Sequence, residues 1–218
     1  MINEAVTVAD AVRTRLERSL LAGDYSAGAV LKDSHVAQQL GVARPTARVA
    51  VQSLIADGFL ERETGRSARV RRFSVQDVAD IFLVRRLIEF EAVRSVCRGA
   101  DMGPIRESLA RFSEVSDNQD WETAAQADMG FHSAVVGAAD SPRLSRLFQT
   151  ISTEIRLLMA LLRPRYLHVS TLHDEHTELL NALIAGNAQK ALKLWAAHLD
   201  DAEAFLSTRT QEELSREH

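Results

Sequence analysis

Four side chains in the second half of the chain have the types and the spacing of metal ligands. Asp128 and His132 are four residues apart, so on a helix they point from one face. His176 and His198 lie 10 residues before and 11 residues after a predicted helix break at 186–187. With about 1.5 Å of rise per residue, two antiparallel helices place both histidines at one level, about 15 Å from the turn. We therefore predict that the four side chains converge inside a helical bundle.

One carboxylate and three imidazoles suit a divalent transition metal and leave one or two positions for water or a ligand. Three histidines favour zinc or nickel, and manganese also accepts such a set. A single histidine on a helix is more often a satisfied polar group than a ligand, so the prediction depends on the whole set. Two alternatives stay open, a purely structural metal and a metalloenzyme that activates water. Glu175 is the sole general-base candidate for the latter, and we expect no enzyme.

Basic residues near the N-terminus have the spacing of a DNA-reading surface. Arg44 and Arg48 are four residues apart on a predicted helix, with Thr46 between them and Gln52 one turn further on. Guanidinium groups read guanine edges or bind phosphates. Gly65, Arg66 and Arg69 follow in a predicted hairpin, which we expect to contact the DNA backbone or minor groove. The alternative is a solvated basic helix face.

The elements that must position these residues are mainly helices. Apolar residues at helical spacing, capping residues and glycine stops predict helices over 8–21, 33–40, 44–57, 74–99, 103–116, 120–138, 142–162, 172–185 and 188–207. Strands are predicted only over 59–62 and 68–71, around a turn at 64–65. Three helices followed by a hairpin are the outline of a winged helix-turn-helix. We predict a DNA-binding domain over 1–72, a linker over 73–77 and an all-helical antiparallel bundle over 78–210.

Charge is distributed unevenly along the 218 residues, whose formal net charge is −4. Residues 1–72 carry 11 Lys and Arg against 8 Asp and Glu, whereas the remainder carries 15 against 22. A basic first third on an acidic body indicates an anion-binding module attached to another function. The N-terminus lacks the apolar region of a signal peptide, no apolar run reaches the roughly 18 residues of a membrane span, and we expect a cytoplasmic protein.

Residues 20–70 resemble the DNA-binding domain of the GntR family of bacterial regulators. The resemblance is carried by the stretch GDYSAGAVLKDSHVAQQLGVARPTARVAVQSLIADGFL, in which Arg44 and Arg48 match the family's two DNA-reading arginines. The chain departs from the family pattern at Ala43, at Pro45-Thr46 and at Val49, and Ser67 stands where the wing glycine would fall. These departures concern the operator sequence and leave the expected fold unchanged.

Residues 75–207 resemble the FCD ligand-binding domain of the FadR/VanR branch of that family. The resemblance is carried by Val84-Arg85-Arg86-Leu87-Ile88-Glu89, Asp128-x3-His132, Glu175-His176 and Ala197-His198. It implies that Asp128, His132, His176 and His198 ligate the metal. It also implies that Arg85 lies near the pocket, where its guanidinium could hold a carboxylate of an effector, whereas the residues alone equally suggest an ion pair with Glu89.

The resemblance implies a transcriptional regulator, more often a repressor, whose operator binding responds to a small carboxylate metabolite beside the metal. The segments 83–87 and 157–162 are richer in apolar residues than one bundle face needs. Most of these residues belong to the core on this interpretation, and the others could form the interface of a homodimer, which we expect. A two-fold dimer presents two recognition helices, which implies a pseudo-palindromic operator in double-stranded DNA.

Overall fold

A computed structural model of the chain describes residues 7–63, 66–115, 121–162, 165 and 168–215. The chain divides into two compact units, Met1–Arg72 and Phe73–His218. The fold class is confirmed as mainly helical with a small sheet in the first unit. Among the described residues, no helix is long and apolar enough to cross a membrane.

The first unit is a winged helix-turn-helix. Its elements are α1 (Val8–Leu21), β1 (Val30–Leu31), α2 (Asp33–Leu40), α3 (Arg44–Ala56), β2 (Leu60–Glu61) and β3 (Ala68–Val70). Thr7 and Asp10 form a capping box at the start of α1, which satisfies backbone amides that lack helical partners. Gly41 ends α2 with a left-handed φ of 65°, a conformation that costs glycine little. Ala47, Val51 and Leu54 of α3 are buried.

The prediction of only two strands was wrong, because β1 adds a third. The antiparallel order is β1-β3-β2, with Val30 opposite Arg69 and Leu60 opposite Val70. A two-residue strand has no alternating pattern to detect, and its partner lies about 40 residues further along the chain. The predicted turn at 64–65 lies outside the described residues.

The second unit is an antiparallel helical bundle. Its helices are α4 (Val75–Cys97), α5 (Gly103–Ser113), α6 (Trp121–Ala138), α7 (Pro142–Leu162), α8 (Val169–Ile184) and α9 (Ala188–Ser215). Helix α4 packs against α6, α7, α8 and α9, so its inward side faces the centre of the bundle. Most of that side is apolar, but Arg85 and Glu89 are also buried there.

Two helices of the bundle are longer than their sequences predict. Helix α8 begins at Val169 instead of 172, because the buried side chains of Val169 and Leu172 anchor a turn whose β-branched residues have low helix propensity. Helix α9 continues to Ser215 instead of 207, and buried Thr210 lies on this extension. The predicted break between the two helices is present, and Gly186 there has a φ of 67°.

Candidate metal centre and nucleic-acid surface

Asp128, His132, His176 and His198 converge in the interior of the second unit. Helix α6 supplies Asp128 and His132, α8 supplies His176, and α9 supplies His198. Each offers one ligand atom, and these four atoms all lie within 4.8 Å of one another. The first three side chains are buried, and His198 is nearly so, with 10% of its side chain exposed. The structure thus brings together the four residues that the sequence singled out.

The three imidazoles are oriented by acceptors on their outer sides. His132 Nδ1 donates to Glu89 Oε2 at 2.7 Å, and His176 Nδ1 donates to the Leu172 carbonyl oxygen at 2.7 Å. His198 Nδ1 lies 3.5 Å from Glu175 Oε2. A proton on each Nδ1 leaves Nε2 as the ring atom with a free lone pair. Outer acceptors of this kind are typical of metal-ligating histidines.

The inner atoms lie close enough together to share a cation. His132 Nε2 and His176 Nε2 are 3.4 Å apart, and Asp128 Oδ1 lies 3.1 Å from His176 Nε2. If both imidazoles are neutral with Nδ1 protonated, three lone pairs converge without a donor. Asp128 Oδ2 is also buried without a hydrogen-bond partner. A proton on His176 Nε2 would relieve part of this conflict, and a metal ion would relieve all of it, so the donor set fits a divalent metal.

The site favours ligands in their metal-binding protonation states. Burial is the main cause that lowers the pKa of His198 to about 4, so its imidazole is neutral at neutral pH. Burial alone would raise the pKa of the Asp128 carboxyl. The hydrogen bond from His176 and the charges of His132, His176 and Arg85 outweigh burial and place this pKa below its ordinary value. A neutral imidazole and an ionised carboxylate are the forms that bind a metal.

Glu89 of α4 is the component of this centre that sequence reasoning missed. The sequence indicates Glu89 only as an ion-pair partner of Arg85, and that pair is present, with Arg85 Nε 2.8 Å from Glu89 Oε1. Glu89 is fully buried, and Oε2 also accepts from Trp195 Nε1 at 2.7 Å. Burial would raise its pKa, but the charges of Arg85 and His132 and their hydrogen bonds outweigh burial and lower it, so Glu89 is ionised. The spacing of Arg85 and Glu89 signals an ion pair but gives no sign of the bond to His132.

Arg85 retains a free donor in the interior. Only 3% of this residue is exposed, and its guanidinium carbon lies 5.1 Å from the centre of the Phe82 ring. Its Nη2 is buried and has no hydrogen-bond partner. Burying a donor without a hydrogen-bond partner is energetically unfavourable, so this atom is suited to donate to an acceptor of a bound ligand.

In the first unit, the residues of the predicted recognition helix lie as a DNA-reading surface requires. Arg44, Arg48 and Gln52 of α3 are exposed, and Thr46 is half-buried. Ala43 at the N-cap makes no side-chain hydrogen bond, so backbone amides of the first turn stay available to an anion.

The wing carries the remaining predicted contacts. Arg66 is exposed and pairs with Glu63, and exposed Arg69 donates from Nη1 to the Gly28 carbonyl oxygen at 3.2 Å. Gly65 lies outside the described residues. A cavity of about 270 Å³ opens between α2, α3 and the wing, and it includes Lys32 and Arg62, which the sequence did not single out. Their place beside this cavity depends on how the wing packs on α2, which the sequence pattern does not indicate.

Two family profiles match the two units. Residues 8–70 match that of the bacterial regulatory proteins of the gntR family, and residues 80–201 match that of the FCD domain. Together the matched ranges cover most of the chain.

Relatives and solved structures agree with these matches. The probable D-xylose utilization operon transcriptional repressor of Paenarthrobacter nicotinovorans is 27% identical over 85% of this chain and 82% of its own. The HTH-type transcriptional regulator LutR of Bacillus subtilis is 26% identical over 79% and 88%. The putative L-lactate dehydrogenase operon regulatory protein of Escherichia coli is 27% identical over 88% and 82%. A putative GntR transcriptional regulator from Rhodococcus sp. RHA1 superimposes with a TM-score of 0.75 and 28% identity, covering 91% of this chain and 96% of that one.

Proposed function

Because the chain belongs to the GntR family of bacterial transcriptional regulators and carries an FCD domain, we propose that a divalent metal and a small carboxylate bound in that domain together control its binding to operator DNA. Asp128, His132, His176 and His198 would hold the metal, and Arg85 would hold the effector. The metal would supply a Lewis-acidic coordination position for an oxygen of the effector.

One observation carries the metal assignment, namely that three potential ligand atoms converge in the interior, with His176 Nε2 3.4 Å from His132 Nε2 and 3.1 Å from Asp128 Oδ1. Zinc and nickel suit three imidazoles and one carboxylate, and manganese is also compatible with this set. The relatives are transcriptional regulators, which argues against the metalloenzyme alternative.

The charge of the site favours an anionic effector. Among the described residues, and with the imidazoles in the neutral form that binds a metal, the buried charged side chains are Arg85, Glu89 and Asp128, which sum to −1. A divalent ion changes this sum to +1, so a ligand with one negative charge neutralises the interior. Burying a charge without compensation is expensive, and a neutral sugar would leave the excess in place. The relatives' names mention D-xylose and L-lactate dehydrogenase operons, and on this argument L-lactate is the better probe of the two.

Operator recognition is proposed for the first unit. Arg44, Thr46, Arg48 and Gln52 would enter the major groove, and the wing with Gly65, Arg66 and Arg69 would contact the adjacent backbone. A homodimer would present two such surfaces to a pseudo-palindromic site.

The dimer proposal is supported by one face of α4. Leu83 and Leu87 lie one turn apart and are 54% and 67% exposed. In the other apolar segment considered from the sequence, Leu157, Leu158 and Met159 are buried and belong to the core. The α4 face therefore remains as the candidate interface.

The direct test uses tag-free protein and two DNA fragments, one from upstream of its own gene and one of random sequence, at about 150 mM salt. We expect preferential binding to the upstream fragment and a shift in that affinity when L-lactate is added to the metal-loaded protein but not when D-xylose is added. Equal affinity for both fragments would contradict operator recognition. Native mass spectrometry of the same sample measures the metal and the oligomeric state, and protein that takes up no supplied zinc, nickel or manganese would contradict the metal assignment.

A further inference from the structure

One buried carboxylate touches both halves of the proposed sensing site. Glu89 Oε2 accepts hydrogen bonds from His132 Nδ1 and Trp195 Nε1, both at 2.7 Å, and Glu89 Oε1 accepts from Arg85 Nε at 2.8 Å. These donors come from α6, α9 and α4 itself. The two oxygens of one group are therefore divided between a metal ligand and the effector arginine.

We propose that Glu89 is a positioning residue that couples the metal and effector subsites, orienting His132 through one oxygen and Arg85 through the other. This inference rests on the proposed function, since it presupposes a metal at His132. Glu89 would touch neither the metal nor the effector, and its effect would be transmitted by two hydrogen bonds within the protein.

The hydrogen bond between His132 Nδ1 and Glu89 Oε2 fixes the tautomer of His132. An ionised carboxylate accepts hydrogen bonds and donates none, so His132 must carry its proton on Nδ1. Nε2 then presents its lone pair towards Asp128 and His176. A metal on Nε2 would make Nδ1 a stronger donor to Glu89.

The hydrogen bond between Arg85 Nε and Glu89 Oε1 holds Arg85 in place. The bond from Nε to Glu89 and the contact with the Phe82 ring fix the plane of the guanidinium, so the direction of the unpaired Nη2 is set. A change in the position of the carboxylate would therefore alter both the ligand geometry at His132 and the donor offered by Arg85. The acceptors beside the other two histidines are different groups, the Leu172 carbonyl for His176 and Glu175 for His198.

Glu89→Gln separates positioning from simple space filling. The amide has the same shape, but its NH₂ group must face either the Arg85 Nε–H or the pair of donors on the other side. Facing His132, the amide would stabilise the tautomer that protonates Nε2 and blocks the metal. Since outer hydrogen-bond partners typically contribute 10–100-fold to metal affinity, we expect a loss of about that size in zinc affinity measured by chelator competition. The matched control is Glu178→Gln, at an exposed residue of α8, which should bind zinc like the unaltered protein.

A second measurement needs no variant. In ¹⁵N-resolved NMR of the unaltered protein, zinc should shift the Arg85 Nε–H signal through Glu89. The Trp121 indole, which donates to the Met159 carbonyl, serves as the internal reference and should move much less. The Trp195 indole cannot serve as the reporter, because its ring contacts the His132 ring directly, at 5.5 Å between centroids. A carboxylate that only fills the core would leave the Arg85 signal unshifted.

The results separate this inference from the function on which it rests. If the unaltered protein binds no zinc, nickel or manganese, the proposed function and the coupling both fail. If it binds zinc but Glu89→Gln binds it equally well, or if the Arg85 signal does not respond, the coupling alone is overturned. If Glu89→Gln does not fold, the zinc response of the Arg85 signal in the unaltered protein decides, its presence supporting the coupling and its absence overturning it.

Discussion

The Nε2 atoms of His132 and His176 lie 3.4 Å apart, although α6 and α8 carry them 44 residues apart in the chain. Two nitrogen ligands at about 2.0–2.1 Å from one tetrahedral ion are separated by roughly 3.3 Å. The spacing is therefore compatible with a single ion that both imidazoles share. Such an ion would link two helices, so its binding energy would contribute to the stability of the bundle.

Metal removal should consequently destabilise the protein. A ligand at 100 times its dissociation constant stabilises the folded state by about 2.7 kcal/mol, so chelation should lower the melting temperature and added zinc should restore it. Asp128→Asn removes the anionic ligand, and we expect it to weaken zinc binding at least tenfold and to abolish most of the zinc-dependent rise in melting temperature. Calorimetry with and without zinc measures both effects.

The matched control for that variant is Asp174→Asn, because Asp174 is an aspartate of α8 whose side chain is 81% exposed. It should retain the zinc response of the unaltered protein. An Asp128→Asn protein with unchanged zinc affinity would remove Asp128 from the ligand set.

His198 should make the metal-free protein sensitive to acid. Its pKa is about 4 in the folded state, against 6.5 for the unperturbed side chain. The unfolded chain therefore takes up a proton between these values that the folded state does not, and the free energy of unfolding rises with pH in this window. The contribution of neutral His198 to the free energy of unfolding is fully present above pH 6.5. The free energy of unfolding should fall by up to about 3 kcal/mol as the pH drops towards 4.

Denaturant unfolding of the metal-free protein at a series of pH values checks this expectation. His198→Gln should flatten the profile between pH 6.5 and 4, whereas His168→Gln, at an exposed position, should leave it steep. The depressed pKa values of Asp128 and Glu89 act on the acid side of this window, since their ionised forms persist to lower pH. A profile that His198→Gln does not change would contradict the assignment.

How much of the site the sequence predicts depends on how local each signal is. Helical spacing predicts that Asp128 and His132 share one helix face. Counting residues from the break at 186–187 predicts that His176 and His198 lie at the same level in two antiparallel helices. The contact between Glu89 and His132 does not follow, because it depends on how α4 packs on α6, and no pattern within either helix encodes that register. The strand β1 was missed for the same reason, since its partner is distant in sequence.

The exposed face of α4 yields a prediction about assembly. Leu87 is the most exposed large apolar residue of that helix, and a glutamate there would place charge in any interface that covers it. We expect Leu87→Glu to shift the protein from dimer towards monomer in sedimentation velocity while it still binds zinc. Ile184→Glu on α8, at a residue that is 43% exposed, is the control and should remain dimeric. A Leu87→Glu protein that stays fully dimeric would place the interface elsewhere.

Arg48 and Arg66 should differ in how they contribute to DNA binding, because a recognition helix reads bases whereas a wing contacts the backbone. Loss of a guanidinium that reads a guanine costs about 1–3 kcal/mol and relaxes specificity, so Arg48→Ala should weaken operator binding more than binding to random DNA. Arg66→Ala should weaken both and reduce the slope of affinity against salt by about one. Arg15→Ala, at an exposed residue of α1, controls for loss of charge. Fluorescence anisotropy across a salt series separates the two roles, and equal loss on both DNAs for Arg48→Ala would reassign that residue to the phosphate backbone.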